Sequence, residues 1–242
     1  MHRIFIQESS LLQRPLVIRD EKAHYLFSVL RCKPGDCLIV TDEKGKSYTA
    51  QILTSSKKEV TADITGDSVI NTESSLNITL IQGLLKGEKM DFVIQKTTEL
   101  GVNAIIPVIT ERSQIRETRK LPRWKKIAEE AARQSGRNVI PEIFSPFAFE
   151  DIFNFPGLHV KEGIIFWEKG GQRLSAVTSR LRNADRVCLF IGPEGGFSEK
   201  EVITALEKGI CTATLGNRIL RAETASITAV SIMQYALGDL GS

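Results

Sequence analysis

Two short apolar runs, each ending in a glycine-bearing loop, constrain this chain more than any other feature. The first run, Val187–Ile191, is rich in strand-forming residues and leads into Gly192-Pro193-Glu194-Gly195-Gly196. The second run, Cys211–Leu215, leads into Gly216-Asn217-Arg218-Ile219-Leu220-Arg221. Because glycine lets the backbone turn sharply and approach a ligand closely, both loops favour binding through the main chain. Two such loops at the carboxyl ends of predicted strands are typical of a ligand crevice in an open α/β sheet.

Helix signals follow each loop. Ser198 and Glu201 form an S-x-x-E capping box, which predicts a helix that Gly209 ends. A second helix, rich in small residues, is predicted from about Glu223. The order strand, loop, helix therefore occurs twice in succession.

The pattern does not by itself identify a ligand. The G-P-E-G-G spacing differs from the dinucleotide-binding G-x-G-x-x-G, and the chain has no P-loop. Ile219 and Leu220 beside Gly216 suit a flat apolar group such as adenine, held by main-chain hydrogen bonds. Two tight turns without a ligand are equally consistent with the glycines alone.

Composition excludes several other classes of protein. The chain has 242 residues, 42% hydrophobic and 25% charged, which fits one large or two modest globular domains. No apolar run approaches the roughly 18 residues of a membrane span, and the first residues lack the apolar core of a signal peptide. We therefore expect a cytoplasmic protein without a membrane segment. The cysteines form no C-x-x-C pair and the histidines show no metal-ligand spacing, so we expect no metal.

The pattern of apolar residues changes near residue 72, which predicts two domains, 1–72 and 73–242. The first is β-rich, and its short, closely spaced strands predict a small barrel. A single helix from about Asp20 to Leu30, capped by Asp20, interrupts it, with Ala23, Leu26, Phe27 and Leu30 on one apolar face. The predicted strands are Arg3–Gln7, Leu16–Arg19, Cys37–Thr41, Ser47–Leu53 and Glu59–Ile64.

The second domain alternates strands with helices, which predicts a parallel sheet covered on both faces. Its predicted strands, in addition to the two apolar runs above, are Ile78–Ile81, Ala104–Ile109 and Ile164–Trp167. Its other predicted helices are Glu88–Leu100, Pro122–Gly136, Phe149–Phe155 and Leu174–Leu181.

Basic residues are concentrated between Arg112 and Arg137, where positive charge exceeds negative charge. Such an excess favours a phosphate backbone as partner, although part of it is explained by a solvated helix face. We take Arg112, Arg133 and Arg137 as candidate RNA contacts. The net charge of +3 permits a polyanionic partner without requiring one.

Several motifs together resemble one family. IGPEGGFS at 191–198 and LGNRILRAETASITA at 215–229 are similar to the signature of the SPOUT-class RNA methyltransferases. HYLFSVLR at 24–31, KGEKMDFVIQKTTELGV at 86–102 and EEAARQSGRNVIPEI at 129–143 resemble, in the same order, the 16S rRNA (uracil-N3)-methyltransferases of the RsmE family. The segment 145–186 is similar only in character.

The resemblance implies a fold and a function. It implies a trefoil-knotted, parallel-sheet methyltransferase domain that forms a homodimer, preceded by a PUA-like barrel that helps to hold RNA, with Arg3 and Arg31 as candidate phosphate contacts. It also implies S-adenosylmethionine as cofactor and 16S rRNA, or the small ribosomal subunit, as substrate. The candidate cofactor-binding residues are Leu84, Gly192, Glu194, Gly196, Leu215, Gly216, Ile219 and Leu220.

The catalytic candidates follow from the chemistry of uracil, whose N3–H is a weak acid. A carboxylate can remove the proton and an arginine can stabilise the developing anion, which favours Glu223 and Arg221 in the second loop. Glu223 has an alternative role, since an acidic residue in the first turn of a helix is stabilised by the helix dipole. Trp167, which ends a predicted strand on the side of the site, suits either stacking on adenine or a base, or a buried structural position. Two other functions stay open: a non-catalytic rRNA-binding assembly factor, and methylation of a ribose 2′-hydroxyl.

Overall fold

The structure is a computed structural model that describes residues 2–241 of the chain, and it divides into two units. The first unit contains the chain up to Glu73 together with residues 132–139, and the second contains 74–131 and the chain from Ile140 onward. The change in apolar pattern predicted a boundary after residue 72, with 132–139 in the second domain. The structure therefore assigns this short segment to a different unit.

The first unit is built on a five-stranded sheet in the order β1-β3-β4-β5-β2. The β1–β3 pair is parallel, whereas the other pairs are antiparallel. Leu16, Leu26, Leu38, Ile52 and Val60 are among the buried side chains of its core. The strands are β1 His2–Phe5, β2 Leu16–Arg19, β3 Cys37–Thr41, β4 Ser47–Ser55 and β5 Glu59–Asp67.

The helix of this unit differs from its prediction. Helix α1 covers only Asp20–His24 and continues as a π-helical turn over Tyr25–Val29; a 3₁₀ turn, Glu8–Leu12, lies earlier in the chain. The N-cap is Arg19, and Asp20 is the first helical residue, with φ of 56°, so the predicted cap is wrong. The wider π turn changes the angular spacing of side chains, and Phe27 is 42% exposed instead of lying on the buried face with Ala23.

A buried polar network explains why residues 132–139 belong to the first unit. Arg3 Nη1 donates to the Arg137 carbonyl at 2.8 Å and to Asn138 Oδ1 at 2.7 Å. The carboxylate of Glu73 accepts from Arg137 Nη2 at 2.6 Å and from the Asn138 N–H at 2.8 Å. Such contacts join residues far apart in sequence, so apolar periodicity cannot predict them.

The second unit is an eight-stranded parallel sheet with the path β11-β13-β10-β12-β6-β7-β8, in which β9 also pairs with β7. Every residue of Val187–Ile191, in the central strand β12, is buried, as expected for a strand covered on both faces. Each fully buried leucine or isoleucine side chain stabilises such a core by about 2 kcal/mol. The strands are β6 Asn77–Gly83, β7 Ala104–Ile109, β8 Glu142–Ile143, β9 Phe147–Ala148, β10 Gly163–Phe166, β11 Gln172–Arg173, β12 Arg186–Ile191 and β13 Cys211–Thr214.

The helices of the second unit begin and end close to their predicted positions, with one exception. The predicted helix Phe149–Phe155 is only a 3₁₀ turn, Asp151–Asn154, followed by a second 3₁₀ turn at Val160–Glu162. Its closely spaced phenylalanines pack into a buried aromatic cluster with Phe190 and Phe197. Packing in this cluster, and not a helical period, therefore explains their spacing. The helices are α2 Lys89–Glu99, α3 Leu121–Ser135, α4 Leu174–Arg180, α5 Glu199–Glu207 and α6 Ala222–Leu237; the last turn of α3 belongs to the first unit.

The described part of the chain contains neither a membrane-spanning helix nor a cluster of metal ligands. Within residues 2–241, no helix combines the length and the apolar character needed to cross a membrane. Among the same residues, no group of three or more histidine, cysteine or acidic side chains is placed to hold a metal ion.

The predicted capping box of α5 is present. Ser198 Oγ accepts from the Glu201 N–H at 3.4 Å, and Glu201 Oε2 accepts from the Ser198 N–H at 2.8 Å. Both residues are buried, so neither main-chain donor can bond to water instead. This box fixes the point at which the loop after β12 becomes a helix.

The cap gives a testable expectation for stability. Ser198→Ala removes the side-chain acceptor and should lower the free energy of unfolding by about 1 kcal/mol. Ser179→Ala is the matched control, because Ser179 is an exposed serine inside helix α4, where alanine favours the helix. Urea denaturation of both variants measures the difference. Equal stability of the two variants would contradict the role assigned to Ser198.

Candidate active site

Three loops at the carboxyl ends of adjacent parallel strands border one cleft. Strand β10 lies between β12 and β13, so all three strands end at the same edge of the sheet. The loops 167–170, 192–196 and 215–221, with the first turn of α6, line a cleft of about 560 Å³. This volume lies in the range typical of small-molecule sites, and the position is where open α/β sheets bind ligands.

The loop 192–196 folds back on itself with main chain against main chain. A Cβ atom on Gly192 would lie 2.9 Å from the Gly196 carbonyl carbon and 3.0 Å from the Phe197 nitrogen. Gly196 has φ of 68° and donates its N–H to the Pro193 carbonyl at 2.9 Å. Larger residues at 192 or 196 would separate these segments or strain the backbone, so the loop presents its main chain to the cleft.

Glu194 is held by a cation beside the loop. Its Oε1 accepts from Lys89 Nζ at 3.1 Å and from the Lys86 N–H at 3.2 Å. Partial burial alone would raise the pKa of Glu194, but hydrogen bonds from its own main chain, Lys89 and Lys86 lower that pKa overall. Glu194 therefore shapes the loop as an ionised, partnered carboxylate.

The loop after β13 and the start of α6 form the second wall. Leu215 and Leu220 are half-buried, Gly216 has φ of 98°, and Ile219 is 85% exposed at the rim. All four line the cleft, together with Arg221, which is the exposed N-cap of α6. This wall combines apolar side chains with open main chain.

Glu223 lies in the first turn of α6 and also lines the cleft. Its Oε2 atom is buried and has no hydrogen-bond partner within residues 2–241. A carboxylate oxygen removed from water without a donor is costly. This side chain is therefore suited to a ligand that brings a proton or a positive charge.

Residues 167–170 form the third wall of the cleft. The Trp167 N–H donates to the Ala213 carbonyl at 3.1 Å, which fixes the wall to β13. Trp167 Nε1 is buried and lacks an acceptor in the part of the chain that the structure describes. Glu168 reaches the loop 192–196, where a Cβ on Gly196 would lie 3.2 Å from its carboxylate. From the sequence, only Trp167 of this wall was considered, as a residue that could stack on a ligand; residues 168–170 were not predicted.

One of the proposed cofactor-binding residues lies elsewhere. Leu84 is 1% exposed in the hydrophobic core of the second unit, and its N–H donates to the Val108 carbonyl. It is not among the residues that line the cleft within the described chain. Gly192, Glu194, Gly196, Leu215, Gly216, Ile219 and Leu220 all line it.

The candidate RNA contacts differ in exposure. Arg3 and Arg137 are 6% and 3% exposed and take part in the network around Glu73 and Asn138, so we withdraw both from the candidate contacts. Arg133 is half-buried, with its guanidinium carbon 3.7 Å from the centre of the Tyr25 ring. Arg31 and Arg112 are exposed.

Comparisons with known proteins agree with this geometry. A family model described as an RNA methyltransferase domain matches residues 72–234, and one described as an RNA methyltransferase PUA domain matches residues 18–65. Ribosomal RNA small subunit methyltransferase E of Buchnera aphidicola is 34% identical, over 98% of this chain and 94% of its own.

Two solved structures are similar over nearly the whole chain. Ribosomal RNA small subunit methyltransferase E from Neisseria gonorrhoeae, bound to S-adenosyl methionine, is 34% identical with a TM-score of 0.89 and 99% of each chain covered. A Legionella pneumophila protein in complex with the bound cofactor SAM is 35% identical with a TM-score of 0.87 and 98% of each chain covered.

The parallel sheet with its cleft thus defines an RNA methyltransferase domain, and the PUA domain precedes it, which confirms the predicted fold class. The chain belongs to the ribosomal RNA small subunit methyltransferase E family.

The close approach within the loop 192–196 can be tested by adding one methyl group. Gly192→Ala places a Cβ against the main chain of Gly196 and should destabilise the fold by about 1–3 kcal/mol. Gly170→Ala is the control, because that glycine also lines the cleft but its Cβ would meet no atom of residues 2–241 within 4 Å. Chemical denaturation compares the two. If Gly192→Ala is as stable as Gly170→Ala, the loop is not as tightly closed as the structure indicates.

Proposed function

We propose that this protein transfers a methyl group from S-adenosylmethionine to N3 of a uridine in 16S rRNA. The observation that carries the proposal is the cleft itself: main chain and apolar side chains from three strand ends line it together with Glu223, one of whose carboxylate oxygens is buried without a hydrogen-bond partner among the described residues. Membership of the methyltransferase E family supports rRNA as the substrate. The two similar structures that contain the cofactor support S-adenosylmethionine.

The residues of the cleft fit this cofactor. Leu215 and Leu220 offer an apolar surface for adenine, and the glycines of the loop 192–196 leave main-chain groups open for hydrogen bonds. Trp167 Nε1 requires an acceptor that the described residues do not supply, and a polar ligand can provide one. We propose the seven cleft-lining candidates, together with Trp167, as the cofactor-binding set, without Leu84.

When bound, S-adenosylmethionine supplies a methyl group on a positively charged sulfur, which becomes a neutral thioether as the N3 electron pair forms the new carbon–nitrogen bond. Glu223 accepts the N3 proton as general base, and Arg221 stabilises the negative charge that develops on the uracil. The apolar side chains of Leu215 and Leu220 keep water away from the reacting groups. Water would otherwise solvate the positive charge on sulfur and the negative charge on the uracil.

The proposal for RNA recognition concerns the target base and the phosphate backbone separately. The N3 atom belongs to the Watson–Crick edge, so the target base must be unpaired or drawn out of its stack. Exposed Arg31 and Arg112 remain proposed phosphate contacts. Arg133, whose guanidinium lies over the Tyr25 ring, is a third.

We also propose a homodimer in the cytoplasm. Helices α2 and α6 pack together, and each leaves a large side chain exposed: Phe92 at 45% and Tyr235 at 71%. Exposed aromatic side chains on neighbouring helices suit contact with a second copy. The cytoplasm is where a ribosomal substrate is found.

Labelled cofactor tests the function directly. The protein is incubated with methyl-labelled S-adenosylmethionine and either small ribosomal subunits or naked 16S rRNA, and the modified nucleoside is then identified. The proposal expects 3-methyluridine. Label in a 2′-O-methylated nucleoside would favour the ribose methyltransferase alternative, and RNA binding without transfer would favour the assembly factor.

The role of Glu223 predicts a specific kinetic defect. Glu223→Gln should lower turnover by about a hundredfold or more with little change in cofactor affinity, because a general base is lost. Raising the pH should restore part of the rate, since hydroxide replaces the base.

Arg221→Ala should likewise reduce turnover more than cofactor affinity.

Glu199→Gln is the matched control for Glu223→Gln. It removes a carboxylate from the first turn of helix α5, so it reproduces the loss of a helix-dipole contact away from the cleft. Parent-like turnover of Glu223→Gln across the pH range would show that the base lies elsewhere, and equal defects in both variants would assign Glu223 to the dipole.

A further inference from the structure

A tight turn after β7 lies beside the loop 192–196. Thr110 and Ser113 are buried, and the Ser113 N–H donates to the Thr110 carbonyl at 3.1 Å. Ser113 Oγ in return accepts from the Thr110 N–H at 3.0 Å. The main chain of this turn is therefore fixed, while Arg112 within it is exposed.

Glu201 ties this turn to the start of α5. Its Oε1 accepts from the Glu111 N–H at 2.8 Å, while Oε2 accepts from the Ser198 N–H at 2.8 Å. The Glu201 side chain is buried, so its bond to the Ser198 N–H is protected from water, whereas its bond to exposed Glu111 is only partly buried. One carboxylate thus joins the residue before Arg112 to Ser198, the N-cap of α5, which lies two residues after the loop 192–196.

Arg112 makes a second connection, directly to the loop. Its Nη1 donates to the Gly195 carbonyl at 3.1 Å. The same peptide unit donates its N–H, that of Gly196, to the Pro193 carbonyl at 2.9 Å. The Gly195–Gly196 peptide is therefore held from both sides, and one of the two partners is a surface arginine.

The guanidinium retains capacity for another acceptor. Arginine carries five N–H donors in a planar fork, and the bond to Gly195 uses one of them. Exposed Arg116, Arg119 and Lys120 follow on the same segment, so a polyanion is the acceptor that this surface favours.

We propose that Arg112 is a positioning residue that joins RNA capture to cofactor binding: its guanidinium binds an RNA phosphate and the Gly195 carbonyl at the same time. The inference rests on the proposed function. A phosphate bound to the exposed side chain fixes its conformation and removes the entropic cost of holding the loop. RNA then increases affinity for the cofactor, and by linkage the cofactor increases affinity for RNA by the same factor.

The test measures this factor without turnover. Calorimetry gives the affinity for S-adenosylhomocysteine, the product form of the cofactor, with and without unmodified 16S rRNA transcript. In the parent protein, RNA should tighten binding by about fivefold or more. Arg112→Ala should weaken the binding of S-adenosylhomocysteine to the RNA-free protein several-fold. The ratio of the affinities with and without RNA should fall close to one in this variant.

Two further variants separate positioning from simple charge. Arg112→Lys keeps the charge but not the planar fork, so RNA affinity should keep most of its salt dependence while the coupling factor falls. Arg116→Ala is the matched control on the same segment. The slope of log RNA affinity against log salt concentration should drop by about one, and RNA should increase the cofactor affinity by the same factor as in the parent protein. A residue that merely stabilised the fold would not change the coupling factor.

The outcomes are distinct from those for the function. A parent protein with no coupling, or an Arg112→Ala variant with parent coupling, overturns the inference even if 3-methyluridine forms. Coupling that depends on Arg112, in a protein that transfers no methyl group, supports the inference and rejects the proposed function.

Discussion

Main-chain contact between the end of strand β6 and the loop after β12 is the constraint on which the cleft depends. A Cβ on Gly83 would lie 2.4 Å from the Pro193 nitrogen, so no side chain fits between the two segments. The loop must run directly against the strand end, and Gly192 and Gly196 then fold it back on itself. The position of the loop in turn places Glu194 beside Lys89 and Ser198 at the start of α5. A site made of main chain is thus an outcome of packing that only glycine permits.

Hydrogen-bond partners divide the carboxylates near the cleft into separate roles. Glu194 is paired with Lys89, and buried Glu201 accepts from two main-chain N–H groups, so both already have hydrogen-bond donors and neither is the candidate base. Glu223 has one buried oxygen without a partner among the described residues, which leaves it able to accept a proton. The sequence favoured Glu223 as the base and Glu194 as a cofactor-binding residue, but it could not show the donors to Glu194, because Lys86 and Lys89 lie more than 100 residues away along the chain.

Local patterns were enough to predict the two glycine loops, the capping box at Ser198 and most strands, since each depends on neighbouring residues. The parallel-sheet class also followed from pattern, whereas the trefoil knot stays a prediction that rests on family resemblance. Long-range polar contacts were not predictable: Arg3 looked like a surface charge but is buried against Asn138. For a related reason only Trp167 of the third wall was considered from the sequence: residues 168–170 reach the cleft because β10 lies between two other strands, which the sequence does not show.

Amide hydrogen exchange on addition of S-adenosylmethionine tests the central claim most directly. If main chain at three strand ends holds the cofactor, protection should increase in residues 167–170, 192–196 and 215–221 together. The aromatic cluster around Phe153 and the strands of the first unit should exchange as before. Binding that protects only one of the three loops, or protection centred outside them, would contradict the account.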